Sequence, residues 1–173
     1  MGDVVRDREK FAKGWIGGLP ETPCGYGSRI EQTATQRRWL PAIAARYGIR
    51  TIADIGAGDL NWMRRIEWPA GVTYSAYDLV PRHPSVTEFD LVRQVPPCVD
   101  MILCLWVLNH LPFDDCRAAL ANIRSSKSRY LCMTDRPKWR SEQPPELALP
   151  AIDAITVRPE TGDRIIVVDL WAC

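Results

Sequence analysis

The stretch T-I-A-D-I-G-A-G at residues 51–58 constrains this chain more than any other. Thr51 to Ile55 are mostly apolar or β-branched, the make-up of a buried strand. Gly56 and Gly58 then let the backbone turn sharply and approach a ligand closely, because neither carries a Cβ. A carboxylate, Asp54, stands just before the turn. A strand buried on both faces needs neighbouring strands beside it and helices above and below it.

The remaining sequence supplies them. Ser28 and Glu31 have S-x-x-E capping-box spacing, which predicts a helix from Arg29 toward Tyr47. Pro41 should kink or restart that helix, and Gly48 should stop it. Strands are expected at 51–55, 73–78, 99–106 and 129–134, with a weak one at 86–90. Helices are expected at 59–67, stopped by Pro69, and at 114–125, where Asp114 could supply the cap. Segments 152–158 and 164–171 flank P-E-T-G-D and read as a hairpin. Alternating apolar strands and helices mean an α/β protein with a mostly parallel central sheet covered on both faces. The C-terminal hairpin adds antiparallel strands at one edge.

One connection does not fit the usual unit. Only L-V-P-R-H-P-S, residues 79–85, separates the second strand from the third. A parallel crossover ordinarily takes about a dozen residues or more. The fold is therefore trimmed, with a short or missing helix after the second strand and a rudimentary third strand. The Pro-rich stretch 137–150 is short of a helix as well.

Composition excludes several classes. A length of 173 residues suits one domain, expected at 29–173, with residues 1–28 as a Gly-rich N-terminal arm or lid. A formal net charge of +1 creates no global basic field that would call for nucleic acid. No apolar run approaches the roughly 18 residues of a membrane span. The charged N-terminus has no apolar core of a secretory signal, so a cytoplasmic location is expected. The six cysteines are scattered without C-x-x-C spacing, which favours buried free thiols over disulfides or zinc.

Ligands of such sheets bind beyond the carboxyl ends of the strands. Asp78 ends the second strand, and a carboxylate there can accept both hydroxyls of a ribose. The glycine turn together with Asp78 therefore indicates a nucleoside-containing ligand.

D-I-G-A-G at 54–58, Asp78 in Y-S-A-Y-D, F-D-L at 89–91 and L-C-L-W-V-L-N-H-L at 103–111 resemble successive motifs of class I S-adenosylmethionine-dependent methyltransferases. The likeness covers roughly residues 51 to 134, and the flanking G-G-L-P-E-T-P-C-G-Y-G-S and G-D-L-N-W-M resemble a small bacterial or phage-type group. The resemblance implies a Rossmann-like fold and S-adenosylmethionine as cofactor. It implies that Gly56 and Gly58 pass under the methionine end and that Asp54 holds its amino group, directly or through water. Asp78 would take the ribose, Asp90 and Leu91 the adenine, and Leu105 and Trp106 would border the methyl donor. Asn61 and Leu79 complete the implied cofactor set. Leu60 departs from the family pattern, standing where a third glycine is usual.

A nicotinamide-binding domain is the nearest rival, but its G-x-G-x-x-G/A fingerprint fails at Asn61. A cofactor-binding regulatory protein without catalysis is the alternative from a different class. For catalysis the candidates are His110, either a general base or a residue packed under the following helix, and Asp135, either a base or a solvated loop carboxylate. D-R-P-K-W-R at 135–140 sets cations beside Trp139, either to hold a phosphate, sugar acid or base, or as a solvated loop. Trp39, Trp62, Trp68 and Trp171 are expected in the core, and His83 in a turn. No clustered His, Cys and carboxylate set has metal-ligand spacing, so metal-independent transfer is expected. The segment after L-C-L-W has neither an N-P-P-Y-like motif nor a Pro-Cys pair, which disfavours nucleic-acid bases as acceptors. What remains is O-, N- or C-methylation of a small-molecule or glycan-like acceptor. The oligomeric state is not encoded in any feature of the sequence.

Overall fold

A computed structural model of the chain describes residues 20–136 and 145–172. Its described strands are β1 (Thr51–Ile55), β2 (Thr73–Asp78), β3 (Val86–Glu88), β4 (Met101–Cys104), β5 (Tyr130–Asp135), β6 (Asp153–Arg158) and β7 (Asp163–Asp169). They form one sheet in the order β3-β2-β1-β4-β5-β7-β6. The pairings from β3 through β5 are parallel, while β7 pairs antiparallel with both β5 and β6. The hairpin thus sits at one edge, and only β7 of these seven runs against the rest.

Alternation along the strands divides the core into two layers. Ile52, Met101, Leu103, Cys132 and Val167 point to the face covered by α1 (Ala34–Arg46), through Leu40, Ile43 and Ala44. Ala53, Ile55, Ile102, Leu131, Ile166 and Val168 point to the other face, against Cys116, Ala119, Leu120 and Ile123 of α2 (Phe113–Ser125). Each fully buried aliphatic side chain contributes about 1.5–3 kcal/mol by leaving water. The order of strands 3-2-1-4-5-7-6, with helices on both faces, is a Rossmann-like arrangement.

The trimming is real. Residues 79–85 carry no helix, and β3 still pairs in parallel with β2 over Val86–Glu88. The 89–100 connection has no helix either. Residues 137–144 of the Pro-rich stretch, including Trp139, lie outside the described residues. The described remainder holds a single 3-10 turn at Pro145–Leu147.

Several local expectations are corrected. The Ser28–Glu31 capping box does not form: the Ser28 hydroxyl donates to the Cys24 carbonyl (3.3 Å), and α1 begins at Ala34 after a 3-10 turn at Glu31–Thr33. That helix continues through Pro41 without restarting and ends before Gly48, whose φ is 65°. The helix expected at 59–67 is only a 3-10 turn, Met63–Arg65. Asp59 accepts the Asn61 N–H (3.1 Å) and Leu60 adopts a φ of 59°, local geometry that competes with a helix. Asp114 lies inside the first turn of α2, whose cap position is Pro112. Trp171 is 69% exposed, with Arg129 over its ring, and so is not in the core. Among the described residues Cys24, Cys98, Cys104, Cys116 and Cys132 are free, and no helix is long and apolar enough to cross a membrane.

Candidate active site

The carboxyl ends of β1, β2 and β4 open onto a cavity of about 450 Å³. At its floor the chain leaves β1 through Gly56, whose φ is 85°. The Gly56 and Ala57 N–H groups both donate to the Tyr77 carbonyl (2.8 and 3.0 Å), folding the turn back over β2. A Cβ at Gly56 would meet Val107 Cγ2 at 2.2 Å, and one at Gly58 would meet Cys24 Sγ at 2.8 Å. Both glycines are therefore required by close neighbours as well as by backbone conformation.

Asp78 is built into this turn. One carboxylate oxygen accepts the Gly58 N–H (2.8 Å) and the other the Val80 N–H (2.9 Å). A carboxylate offers about two lone pairs per oxygen, so each oxygen keeps capacity for a ligand hydroxyl. Burial pushes the Asp78 carboxyl up, against the lowering effect of those two N–H bonds. Asp54 is only 3% exposed and accepts the Tyr74 O–H at 2.5 Å. Burial pushes its carboxyl up to about 7; the Tyr74 bond opposes this and the Asp78 charge adds to it. A buried carboxyl poised in this way is well suited to a cationic partner, which would restore its charge.

The walls come from the loops above. Asp90 Oδ1 accepts the Val92 N–H (3.0 Å), and Asn122 of α2 donates to the Leu91 and Val92 carbonyls (2.8 and 3.1 Å), fixing that loop. Trp106 has a φ of 60° and donates its N–H to Thr134 Oγ1 (2.8 Å), which ends β4 and exposes Leu105 and Trp106 to the cavity. His110 closes the 3-10 turn Leu108–His110 and lines the same space. Burial and the Asp59 charge push the Cys24 thiol up to about 11, which keeps it protonated at neutral pH.

Of the sequence-derived candidates, Asp54, Gly56, Gly58, Asp78, Leu79, Asp90, Leu91, Leu105, Trp106 and His110 come together around this cavity. Asn61 and Asp135 do not line it. The Asn61 side-chain amide donates to Glu21 Oε1 (2.9 Å) and to the Ser28 carbonyl (3.0 Å), strapping residues 20–28 onto the glycine loop. Asp135 is a buried carboxylate engaged by the Arg164 guanidinium, neither solvated nor open to the cavity. The described part of the N-terminal arm, Pro23 to Ser28, forms one wall; Trp15 lies outside the described residues.

Sequence reasoning did not find Thr33, Gln36, Trp62, Arg82 or Arg158, all of which line the cavity. Arg136 also lines it, and only the D-R-P-K-W-R motif gave a signal for it. The lining is polarised. Asp54, Asp59, Asp78 and Asp90 lie with Arg82 on the β1–β3 side, while Arg136 and Arg158 follow β5 and end β6.

No family model matches the sequence, and no curated protein matches it. Solved structures do match in fold. Magnesium protoporphyrin IX methyltransferase from Synechocystis PCC 6803 with bound SAM superposes with a TM-score of 0.55 at 17% identity, covering 95% of this chain and 90% of that one. N-methyltransferase NodS from Bradyrhizobium japonicum WM9, in complex with S-adenosyl-L-homocysteine, gives 0.60 at 12% identity over 82% of this chain and 88% of that one. Mitomycin 7-O-methyltransferase MmcR gives 0.53 at 16% identity, covering 79% of this chain and 54% of that one. The chain has the Rossmann-like fold of class I S-adenosylmethionine-dependent methyltransferases.

Proposed function

We propose that this chain transfers a methyl group from S-adenosylmethionine to a small-molecule acceptor without a metal ion. The observation that carries the reading is Asp78, held by the Gly58 and Val80 N–H groups at the rim of a cavity that also contains the buried Asp54. Gly56 and Gly58 form the floor beneath the methionine moiety, and Asp54 receives its ammonium group. Asp78 receives the ribose hydroxyls, Asp90 and Leu91 border the adenine, and Leu79 packs beside it. Leu105 and Trp106 flank the transferred methyl. The cofactor supplies an already activated methyl, so the protein's work is to hold donor and acceptor in line and exclude water. His110 stands at the rim as the base for an acceptor proton. Asp135, paired with Arg164 and away from the cavity, is given no part in the transfer.

Among the described residues no group of three His, Cys, Asp or Glu side chains is placed to hold a metal ion. Residues 20–28, the described part of the N-terminal arm, serve as a lid held by Asn61. The free thiols support a cytoplasmic location.

Calorimetry with S-adenosylhomocysteine tests the reading. Wild type should bind one equivalent, and Asp78→Ala should bind about thirtyfold more weakly, a loss of about 2 kcal/mol. Asp78→Asn, which keeps an acceptor for only one of the two loop N–H groups, should fall between them. Equal affinity in all three would overturn the ribose assignment.

A further inference from the structure

The acceptor side of the cavity has a charge of its own. Arg158 ends β6, and its guanidinium lies 4.3 Å from the centroid of the Trp106 ring. It also lies against the N-terminal wall, since a Cβ at Gly27 would meet Arg158 Nη2 at 2.7 Å. Its ion-pair partner, Asp163, is fully buried, and the separation is 3.8 Å, beyond hydrogen-bond reach. Among the described residues the Arg158 guanidinium makes no side-chain hydrogen bond, so a planar fork of five N–H donors sits over an indole at the cavity wall. Trp106 borders the transferred methyl in the proposed reading, so this fork lies where an acceptor must sit.

A second polar group lies at the same level. Arg46 and Tyr47, at the end of α1, contact Asp153 at the start of β6 (2.6 and 3.3 Å). Running back along α1 from Arg46 to Gln36 covers about 15 Å. Running along β6 from Asp153 to Arg158 covers about 17 Å. Gln36 and Arg158 therefore reach the cavity together, and both line it. Gln36 is 4% exposed, and its Oε1 has no hydrogen-bond partner. A buried acceptor without a donor is costly unless something else satisfies it. The terminal amide torsion of glutamine is soft, so the group can turn to meet a ligand donor.

We propose that the methyl acceptor is an acid, carrying a carboxylate or phosphate on the Arg158 fork and a hydroxyl or amine that donates to Gln36. Planar guanidinium groups bind such oxyanions bidentately, and the indole face holds this one in orientation. The opposite wall, rich in aspartates, repels the same anion and keeps it away from the cofactor half. This inference rests on the methyl-transfer reading of the cavity.

The test uses the full chain loaded with S-adenosylhomocysteine and a panel of small aromatic acids. Each is matched with its primary amide and its aryl phosphate, with and without a ring hydroxyl. Saturation-transfer NMR and calorimetry should show acids or phosphates bound at least tenfold more tightly than amides, and the favoured arm identifies the oxyanion. Arg158→Met should abolish the preference, and Arg158→Lys, which keeps the charge beside Asp163, should weaken it. Gln36→Met should melt no lower than wild type yet lose the preference for hydroxyl-bearing acids. Absence of any acid preference, or a preference that survives Arg158→Met, overturns the anion subsite. A Gln36→Met protein that melts lower and keeps the hydroxyl preference overturns that residue's part. Binding of S-adenosylhomocysteine is recorded on the same sample. A chain that binds it but ignores acids loses only this proposal, whereas a chain that does not bind it loses the methyl-transfer reading as well.

Discussion

The two flanks of the sheet are built differently. On the β4–β5–β7 flank every residue of β4 and β5 is buried, and helices cover both faces. On the β2–β3 flank only Ala76 of β2 and Val86 of β3 are buried, and neither connection around β3 carries a helix. The missing helices remove apolar cover, and what remains there is polar: Tyr74 on Asp54, Asp78 on the glycine turn, Asp90 on its own loop. One flank holds the fold together, and on the proposed reading the other serves the ligand. Stability and binding should therefore separate when the two flanks are mutated.

The same substitution made on each flank gives the largest expected contrast. Val167 in β7 is fully buried, and Val167→Ala should cost about 2–3 kcal/mol of unfolding free energy. Val86 in β3 is 6% exposed at the thin edge, and Val86→Ala should cost about 1 kcal/mol or less. Urea denaturation of both variants would break the contrast if the two losses were equal.

Asp54 sharpens it on the binding side. Its carboxyl is raised to about 7 by burial, so the fold favours the protonated form. For an acid with a raised folded value, the stability contribution is present below the unfolded value and lost as pH rises through the folded one. The free protein should lose stability between about pH 4 and pH 7 on this account. Asp54→Asn should remove that loss and match or exceed wild-type stability at pH 8. Cofactor affinity should rise with pH through 7 in wild type. In Asp54→Asn it should be flat and lower by about 1.5–3 kcal/mol, because the ammonium loses its charged acceptor. Parallel melting and calorimetric series across pH check both halves of this statement.

The smallest effect concerns the N-terminal wall. Asn61→Leu releases Glu21 and the Ser28 carbonyl and should weaken S-adenosylhomocysteine binding by about 1 kcal/mol. Because these contacts lie near the surface, unfolding free energy should change by no more than about 0.5 kcal/mol. Unchanged affinity would show that residues 20–28 do not act as a lid.

Much of this was legible in the sequence. Thr51–Ile55, the glycine turn and the strands at 73–78 and 129–134 were readable because their composition and punctuation are local. The nine cofactor-side candidates that meet in the cavity lie at or just beyond strand ends, which topology gathers automatically. The misses are of another kind. The 59–67 segment has helical composition, but an Asp59 turn and the left-handed Leu60 override it. Asn61 reads as a ligand contact, but Glu21, forty residues earlier, takes its amide. Gln36 and Arg158 carry no motif, because one is a helix residue and the other ends a strand at the far edge. Only the packing of α1 against β6 brings them to one wall.

Hydrogen exchange with and without S-adenosylhomocysteine tests the central claim most directly, since it reads both flanks at once. Cofactor should slow exchange in residues 54–60, 76–92 and 105–111 while leaving β5 and β7 as they were. Protection confined to β5 and β7, no protection at all, or equal protection by NAD would contradict the assignment of this cavity to S-adenosylmethionine.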